Sequence, residues 1–129
     1  MTASMSQMPA TLWVYRARLV RVVDGDTIDV HIDAGFQNYR EDRLRLLGLN
    51  CPEVHGPTRE AGLAATVFTA DWLRLGDALD PWPLILETHK SDVFGRFLAR
   101  VWRIVDGACL NDDLLAGGFA VPFMVGAAS

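Results

Sequence analysis

The sequence has little cysteine, no long apolar run and no excess of positive charge, and each absence excludes a class of protein. Two cysteines, Cys51 and Cys109, are too few for a disulfide framework. They could form one bridge, but we expect two thiols. No apolar stretch approaches the ~20 residues that cross a bilayer, so we predict no membrane partner. Residues 1–10 lack the cationic start and apolar core of a signal peptide, which makes the cytoplasm the default location and a mature secreted form the alternative.

The formal net charge of −4 disfavours a protein that coats nucleic acid nonspecifically, because that affinity comes from neutralising many phosphates. It leaves open an enzyme that holds one or two phosphates with placed arginines. The length of 129 residues predicts one domain, and we expect a monomer. We place that domain at residues 11–124, between a disordered tail over 1–10 and a short C-terminal tail over 125–129.

Alternating apolar and polar residues predict three strands in the first half of the chain, over 13–23, 27–33 and 42–49. Asp24-Gly25-Asp26 between the first two is typical of a tight hairpin turn. Three strands with short connections predict an antiparallel meander, because no helical crossover separates them.

Apolar residues at three- and four-residue spacing then predict a helix that Thr58 or a neighbour caps and that Gly76 ends. Two further strands and a short second helix follow, over 84–89, 96–105 and 110–116. Five strands with a helix between the third and fourth have the element order of an OB-type β-barrel. The predicted class is therefore α+β and mainly β.

Four charged side chains in three segments form a minimal set for cleaving a phosphodiester. Asp26 offers a hard oxygen ligand to Mg²⁺ or Ca²⁺, and Arg45 is a fork-shaped cation that can bind two phosphate oxygens. Glu53 is a free carboxylate for proton transfer, and Arg96 is a second cation. Each alone has a bland interpretation, as a turn residue, a surface-strand arginine or a solvated loop residue.

Together the motifs resemble the staphylococcal (thermonuclease-like) nuclease family. The likeness lies in Val-Val-Asp24-Gly-Asp26-Thr, in the stretch from Arg45 to Glu53, and in Asp92-Val-Phe-Gly-Arg96. It extends in order over about residues 18–120, including the helix that begins at Leu110. The resemblance implies a five-stranded OB-type barrel and a Ca²⁺-dependent endonuclease that hydrolyses DNA and RNA to 3′-phosphate products.

The resemblance also implies a metal site. Asp26 matches the family's main calcium-ligand aspartate, and Asp24 matches an outer-shell aspartate that orders water around the ion. Asn50 stands where well-known members have an aspartate ligand, so a negative charge is lost and Ca²⁺ affinity should fall. Cys51 would contribute its backbone carbonyl. Mg²⁺ or Mn²⁺ are alternative ions.

For catalysis, Arg45 matches the arginine that binds the scissile phosphate and Glu53 the glutamate that positions or deprotonates water. Arg96 matches a second arginine that binds phosphate and assists the leaving 5′ oxygen. The expected substrate is single-stranded or unwound DNA or RNA.

The sequence departs from the family at the nucleotide pocket, where lysine and tyrosines of the family are replaced by Val93, Phe94, Met124 and Gly126. Substrate binding should be weaker or built differently, with Trp82, Trp102 and Phe123 as candidate aromatics that are more often core. A second hypothesis is a catalytically weak or inactive domain of this type that binds nucleic acid or a protein partner. A third hypothesis is a noncatalytic OB-fold protein that binds single strands. Such a protein is expected to carry surplus basic charge, which the net charge of −4 disfavours.

Overall fold

The computed structural model describes residues 13–76, 80–89 and 96–123, and these form a closed β-barrel with two α-helices. The elements in chain order are β1 (Val14–Asp24), β2 (Thr27–Asp33), β3 (Tyr39–Leu46), β4 (Leu49–Asn50), a 3₁₀ turn (Gly56–Thr58), α1 (Arg59–Arg74), β5 (Leu84–His89), β6 (Phe97–Arg103), α2 (Leu110–Ala116) and β7 (Val121–Pro122). The strand order around the barrel is β1-β2-β3-β6-β5, and β4 pairs with β7 in a small separate sheet.

This architecture confirms the predicted class, a five-stranded OB-type barrel with its main helix between the third and fourth barrel strands. The third strand is the largest difference in position. It was expected over 42–49 but runs over Tyr39–Leu46, because Gly48 adopts a positive φ of 85° that ends the extended run. Leu49 and Asn50 then form the separate strand β4. The predicted tails over 1–10 and 125–129 lie outside the described residues.

The barrel interior follows from the alternation of side chains along the meander. On β2, Ile28, Val30 and Ile32 point inward and are buried, and Leu44 and Leu46 do the same on β3. The intervening positions of both strands point to the outer face. Strands β1 to β3 pair in the expected antiparallel order.

The barrel closes where β3 and β6 pair in parallel, which the sequence pattern did not predict. Leu44 pairs with Phe97, and Leu46 pairs with Ala99. We call this pairing of residues 44–46 with 97–99 the parallel seam. It brings the strand that carries Arg45 against the strand that follows Arg96.

Asn111, on α2, ties this seam together from a position that is only 1% exposed. Its side-chain oxygen accepts a hydrogen bond of 3.0 Å from the Val101 N–H. Its amide nitrogen donates bonds of 3.0 Å to the carbonyls of Leu47 and Ala99. One buried side chain therefore links α2 to both strands of the seam.

Helix α1 ends as predicted, since Gly76 follows it with a φ of 91°. Its beginning differs from the prediction. Thr58 occupies the N-cap position but makes no side-chain capping bond. Its hydroxyl instead donates to the carbonyl of Glu53 at 2.7 Å, which fixes the preceding loop. Within the described residues, no helix is long and apolar enough to cross a membrane.

Candidate active site

The turn between β1 and β2 lies directly against α1. A side-chain carbon on Gly25 would come within 2.8 Å of the Ala65 Cβ and 2.9 Å of the Cys51 sulfur, so only glycine fits there without a shift. The Thr69 hydroxyl, buried on α1, donates a 2.8 Å hydrogen bond to the Gly25 carbonyl. The two aspartates that flank Gly25 are therefore held by the helix as well as by the hairpin.

Asp26 is buried, with 7% of its surface exposed, and accepts bonds from two other segments. One carboxylate oxygen accepts the Cys51 N–H at 3.0 Å, and the other accepts the Thr27 hydroxyl at 3.1 Å. Arg45 lies 3.5 Å from the first oxygen. Burial raises the pKa of Asp26, but these partners and a hydrogen bond shared with Asp24 outweigh it, so the net pKa lies below the ordinary value. Asp26 is thus a fixed anion.

Asp24 behaves differently although it lies only two residues away. Burial first, and then the neighbouring Asp26 carboxylate, raise the pKa of Asp24 to about 6. One of its oxygens accepts the Asp26 N–H at 3.3 Å. Two carboxylates held this close repel each other, and a cation between or beside them would relieve that repulsion.

Arg45 joins this pair to the predicted metal ligand at position 50. Its side chain is 19% exposed and donates a short hydrogen bond to the Asn50 side-chain oxygen. Asn50 itself is held by the pairing of β4 with β7, opposite Val121. The structure therefore links Asp26, Arg45, Asn50 and Cys51 by direct contacts.

Glu53 lies in the loop before α1, and its residue is exposed. Among the described residues, its carboxylate makes no hydrogen bond or ion pair, which leaves it available to water. Its backbone is tightly held, because a side chain on Gly62 would come within 2.5 Å of the Glu53 carbonyl oxygen. Gly62 and Thr69 are supporting residues that sequence reasoning missed. The signal for the first was a glycine inside a helical pattern, which marks a close approach.

Arg96 immediately precedes β6 and is half-buried. Because Leu98 pairs with Arg45 across the parallel seam, both arginines lie at neighbouring strands of the barrel. Its upstream motif partners Asp92, Val93 and Phe94 fall outside the described residues.

Cys51 is a poor nucleophile and a poor thiolate ligand in this setting. Burial, followed by the charges of Asp26 and Asp24, raises the pKa of its thiol to about 12, so the sulfur stays protonated. Both cysteines are free thiols, as expected. Across 13–76, 80–89 and 96–123, no three His, Cys, Asp or Glu side chains cluster as metal ligands. A metal here would depend on amide and carbonyl oxygens beside carboxylates.

A shallow cleft of about 290 Å³ opens beside this network. Its walls come from the loop after β4 and from the segment after α2, with Asn50, Pro52, Thr58, Phe119 and Val121 among them. The Phe123 N–H donates to the Gly48 carbonyl at 2.9 Å and holds the second wall in place. The positions aligned with the family's tyrosines, Met124 and Gly126, lie outside the described residues.

Comparison with known proteins finds similarity in sequence, although no family model matches the chain. It is 32% identical over 106 residues to the thermonuclease of Staphylococcus hyicus, which covers 80% of this chain and 56% of that protein. It is also 30% identical over 90 residues to Protein ParB of Escherichia coli, covering 67% of this chain and 41% of that protein. The chain spans about half the length of these relatives. The chain that folds into this five-stranded barrel is thus similar in sequence to a thermonuclease. The same chain brings Asp26, Arg45, Asn50 and Cys51 into contact.

Proposed function

We propose that this protein is a metal-dependent nuclease that hydrolyses phosphodiester bonds of DNA and RNA. The proposal depends most on the contact network of Asp26, Arg45 and Asn50. It places a carboxylate, a guanidinium and an amide oxygen together. It occurs in a chain that is 32% identical to a thermonuclease. Glu53 lies close to it in sequence, on a loop pinned by α1.

In the proposed mechanism, the Arg45 guanidinium binds two oxygens of the scissile phosphate. A guanidinium has five N–H donors, so donors remain after the bond to Asn50 is made. The Arg45 side chain is largely buried and contacts Asp26 and Asn50, so its orientation is fixed. A cation that is already oriented can stabilise the charge that develops on the phosphate without moving during the reaction. Arg96 supplies a second cation to phosphate and to the leaving oxygen.

Glu53 is the proposed base. Its exposed carboxylate has no competing partner among the described side chains, so it can accept a proton from an attacking water. The backbone contacts with Gly62 and Thr58 hold the loop while the side chain remains accessible. The backbone of Glu53 is therefore fixed in position, while its carboxylate stays accessible to water.

The residues present fit a hard divalent cation. Asp26, the Asn50 amide oxygen and the Cys51 carbonyl would hold it, with Asp24 in the outer shell, and Ca²⁺ takes ligands of these kinds. When bound, the cation would neutralise negative charge on the phosphate oxygens. Only one of the three direct donors, Asp26, is a carboxylate, and Asn50 already accepts from Arg45, so we expect weak affinity.

The direct test is cleavage of heat-denatured DNA and of RNA by the purified chain. We expect cleavage with Ca²⁺, or with Mg²⁺ or Mn²⁺, and its complete loss in a chelator. Arg45→Ala, which removes the phosphate-binding cation, should lower the rate by about a hundredfold or more. Cleavage that persists unchanged in this variant would come from a contaminant. Absence of cleavage with every metal would contradict the enzyme and leave a nucleic-acid-binding domain.

Restoring a carboxylate at position 50 should strengthen calcium binding. We expect Asn50→Asp to lower the Kd for Ca²⁺ by about tenfold, because charge count among oxygen ligands sets affinity. Isothermal titration calorimetry measures this. Asn38→Asp is a matched control that adds the same charge on the exposed turn between β2 and β3. Equal or weaker binding by Asn50→Asp would remove Asn50 from the proposed metal site.

A further inference from the structure

A cluster of aromatic and cationic side chains lies on the outer face of β1, β2 and β3, away from the site above. We call Arg18, His31, Tyr39 and Trp82 the platform. Tyr39 and Trp82 stack with ring centroids 5.7 Å apart and planes 11° from parallel. The His31 ring lies 5.7 Å from Trp82, and the Arg18 guanidinium lies over the indole at 4.7 Å.

The platform is fixed in place from several sides. Arg18 donates a 3.0 Å hydrogen bond to the His31 ring, and the two residues pair across β1 and β2. The backbone N–H of Trp82 donates to the Asp80 carboxylate at 2.8 Å, which anchors the loop before β5. Tyr39 nevertheless remains 55% exposed, so part of its ring is open to a further partner.

The same face of the sheet carries a row of arginines although the chain has a net charge of −4. Outward-facing positions of the three strands hold five of them: Arg16, Arg18, Arg21, Arg43 and Arg45. Carboxylates accompany most of this row, since Arg16 binds Asp33 at 2.6 Å, Arg45 lies 3.5 Å from Asp26, and Glu41 lies on the same face. Arg18 differs, because its hydrogen-bond partner is the His31 ring and not a carboxylate. Arg21 and Arg43 both bind Asp29, at 2.7 and 2.8 Å, and one carboxylate cannot neutralise both.

The platform is connected to the proposed site by strand geometry. Tyr39 and Arg45 are an even number of residues apart on β3, so both side chains project from the outer face. At a rise of about 3.3 Å per residue they are separated by about 20 Å. Several nucleotides of extended single strand span that distance, within the ~4–16 nucleotides that one OB fold covers. The doubly arginine-bound Asp29 lies between them.

We propose that the platform stacks unpaired bases of single-stranded nucleic acid several nucleotides from the phosphate bound at Arg45. Aromatic rings accept any base, and the arginines along the strand attract the phosphates. A duplex buries its base faces and cannot use the stacking surface. The inference rests on the proposed function, because the strand is taken to run along β3 from the platform to the phosphate at Arg45. It requires the bound nucleic acid to be single-stranded.

The test measures binding of a fluorescein-labelled 12-nucleotide single strand by anisotropy, in chelator so that nothing is cleaved. We expect Tyr39→Ala and Trp82→Leu each to weaken binding about tenfold, since loss of one base stack has roughly that effect. Trp13→Ala is the matched control, because Trp13 is 60% exposed and lies outside the platform. It should bind like the wild type. Circular dichroism verifies that Trp82→Leu folds, and Tyr39→Ala provides the result on an exposed side chain.

Steady-state kinetics give a second readout. With the 12-nucleotide strand, the platform variants should raise KM about tenfold and leave kcat unchanged, and with a dinucleotide they should change neither constant. Unchanged affinity in both variants would overturn the platform and assign this face to another partner, such as a protein. Loss of cleavage in Glu53→Gln tests the proposed nuclease and not the platform. If the wild-type protein never cleaves, but Tyr39→Ala still weakens strand binding, the platform is supported and the nuclease is contradicted.

Discussion

Replacing Glu53 with glutamine is expected to lower kcat for DNA hydrolysis by about a thousandfold. General-base catalysis contributes roughly 10²–10⁴ to a rate, and glutamine keeps the size of the side chain while it loses the ability to take a proton. The fold should be unaffected, because the residue is exposed and its carboxylate has no hydrogen bond or ion pair within the described chain. Quenched-flow or gel assays on denatured DNA measure the rate.

Glu60→Gln is the matched control for this prediction. Glu60 is an exposed glutamate in the first turn of α1, so the same change of charge occurs nearby without touching the loop. Its kcat should stay within about twofold of the wild type. Strand binding by Glu53→Gln should also be unchanged, which separates chemistry from affinity. If Glu53→Gln kept a tenth or more of the wild-type rate, another group would be the base.

Replacing Asn111 with alanine is expected to reduce the free energy of unfolding by about 3 kcal/mol or more. The change leaves the Val101 N–H and the Leu47 carbonyl buried without their partner, and each such loss costs about 1–3 kcal/mol. The Ala99 carbonyl suffers less, because it also accepts the Leu47 N–H at 2.9 Å. A cavity adds to the cost. Typical domains have only about 5–15 kcal/mol in total.

Urea unfolding followed by circular dichroism checks this value. Asn38→Ala, on an exposed turn, should change stability by less than about 0.5 kcal/mol. Asn111→Leu separates the two causes, because leucine fills the volume but restores none of the hydrogen bonds. We expect it to be nearly as destabilising as Asn111→Ala. A leucine variant as stable as the wild type would show that volume, and not hydrogen bonding, is what Asn111 supplies.

Local patterns sufficed for the meander and for most of the helix positions. Asp24-Gly25-Asp26 has the chemistry of a two-residue turn, and alternation along β2 assigns its inner and outer faces. The second helix also lies where the sequence placed it, at Leu110–Ala116. These features are decided by residues close together in the chain.

What the sequence could not show depends on distant partners. The parallel seam joins strands that are far apart in the chain, and no local period encodes such a pairing. Asn111 reads as a polar helix residue until its three backbone partners are in place. Asn50 was expected mainly as a metal ligand, and its bond to Arg45 emerged only from the fold. The need for glycine at position 62 likewise becomes clear only in the fold, where the Glu53 backbone packs against it.

The parallel seam also has a consequence for how the chain reaches its folded form. Pairing of residues 44–46 with 97–99 closes a loop on the order of 50 residues, and such closure costs entropy before any contact compensates for it. Nonlocal pairings of this kind slow folding relative to hairpins and helices. The hairpin with Asp26 can form early and locally, whereas Arg45 and β6 meet only at closure. In refolding, β6 and the adjoining Arg96 would therefore join the strand of Arg45 last, after most of the secondary structure has formed.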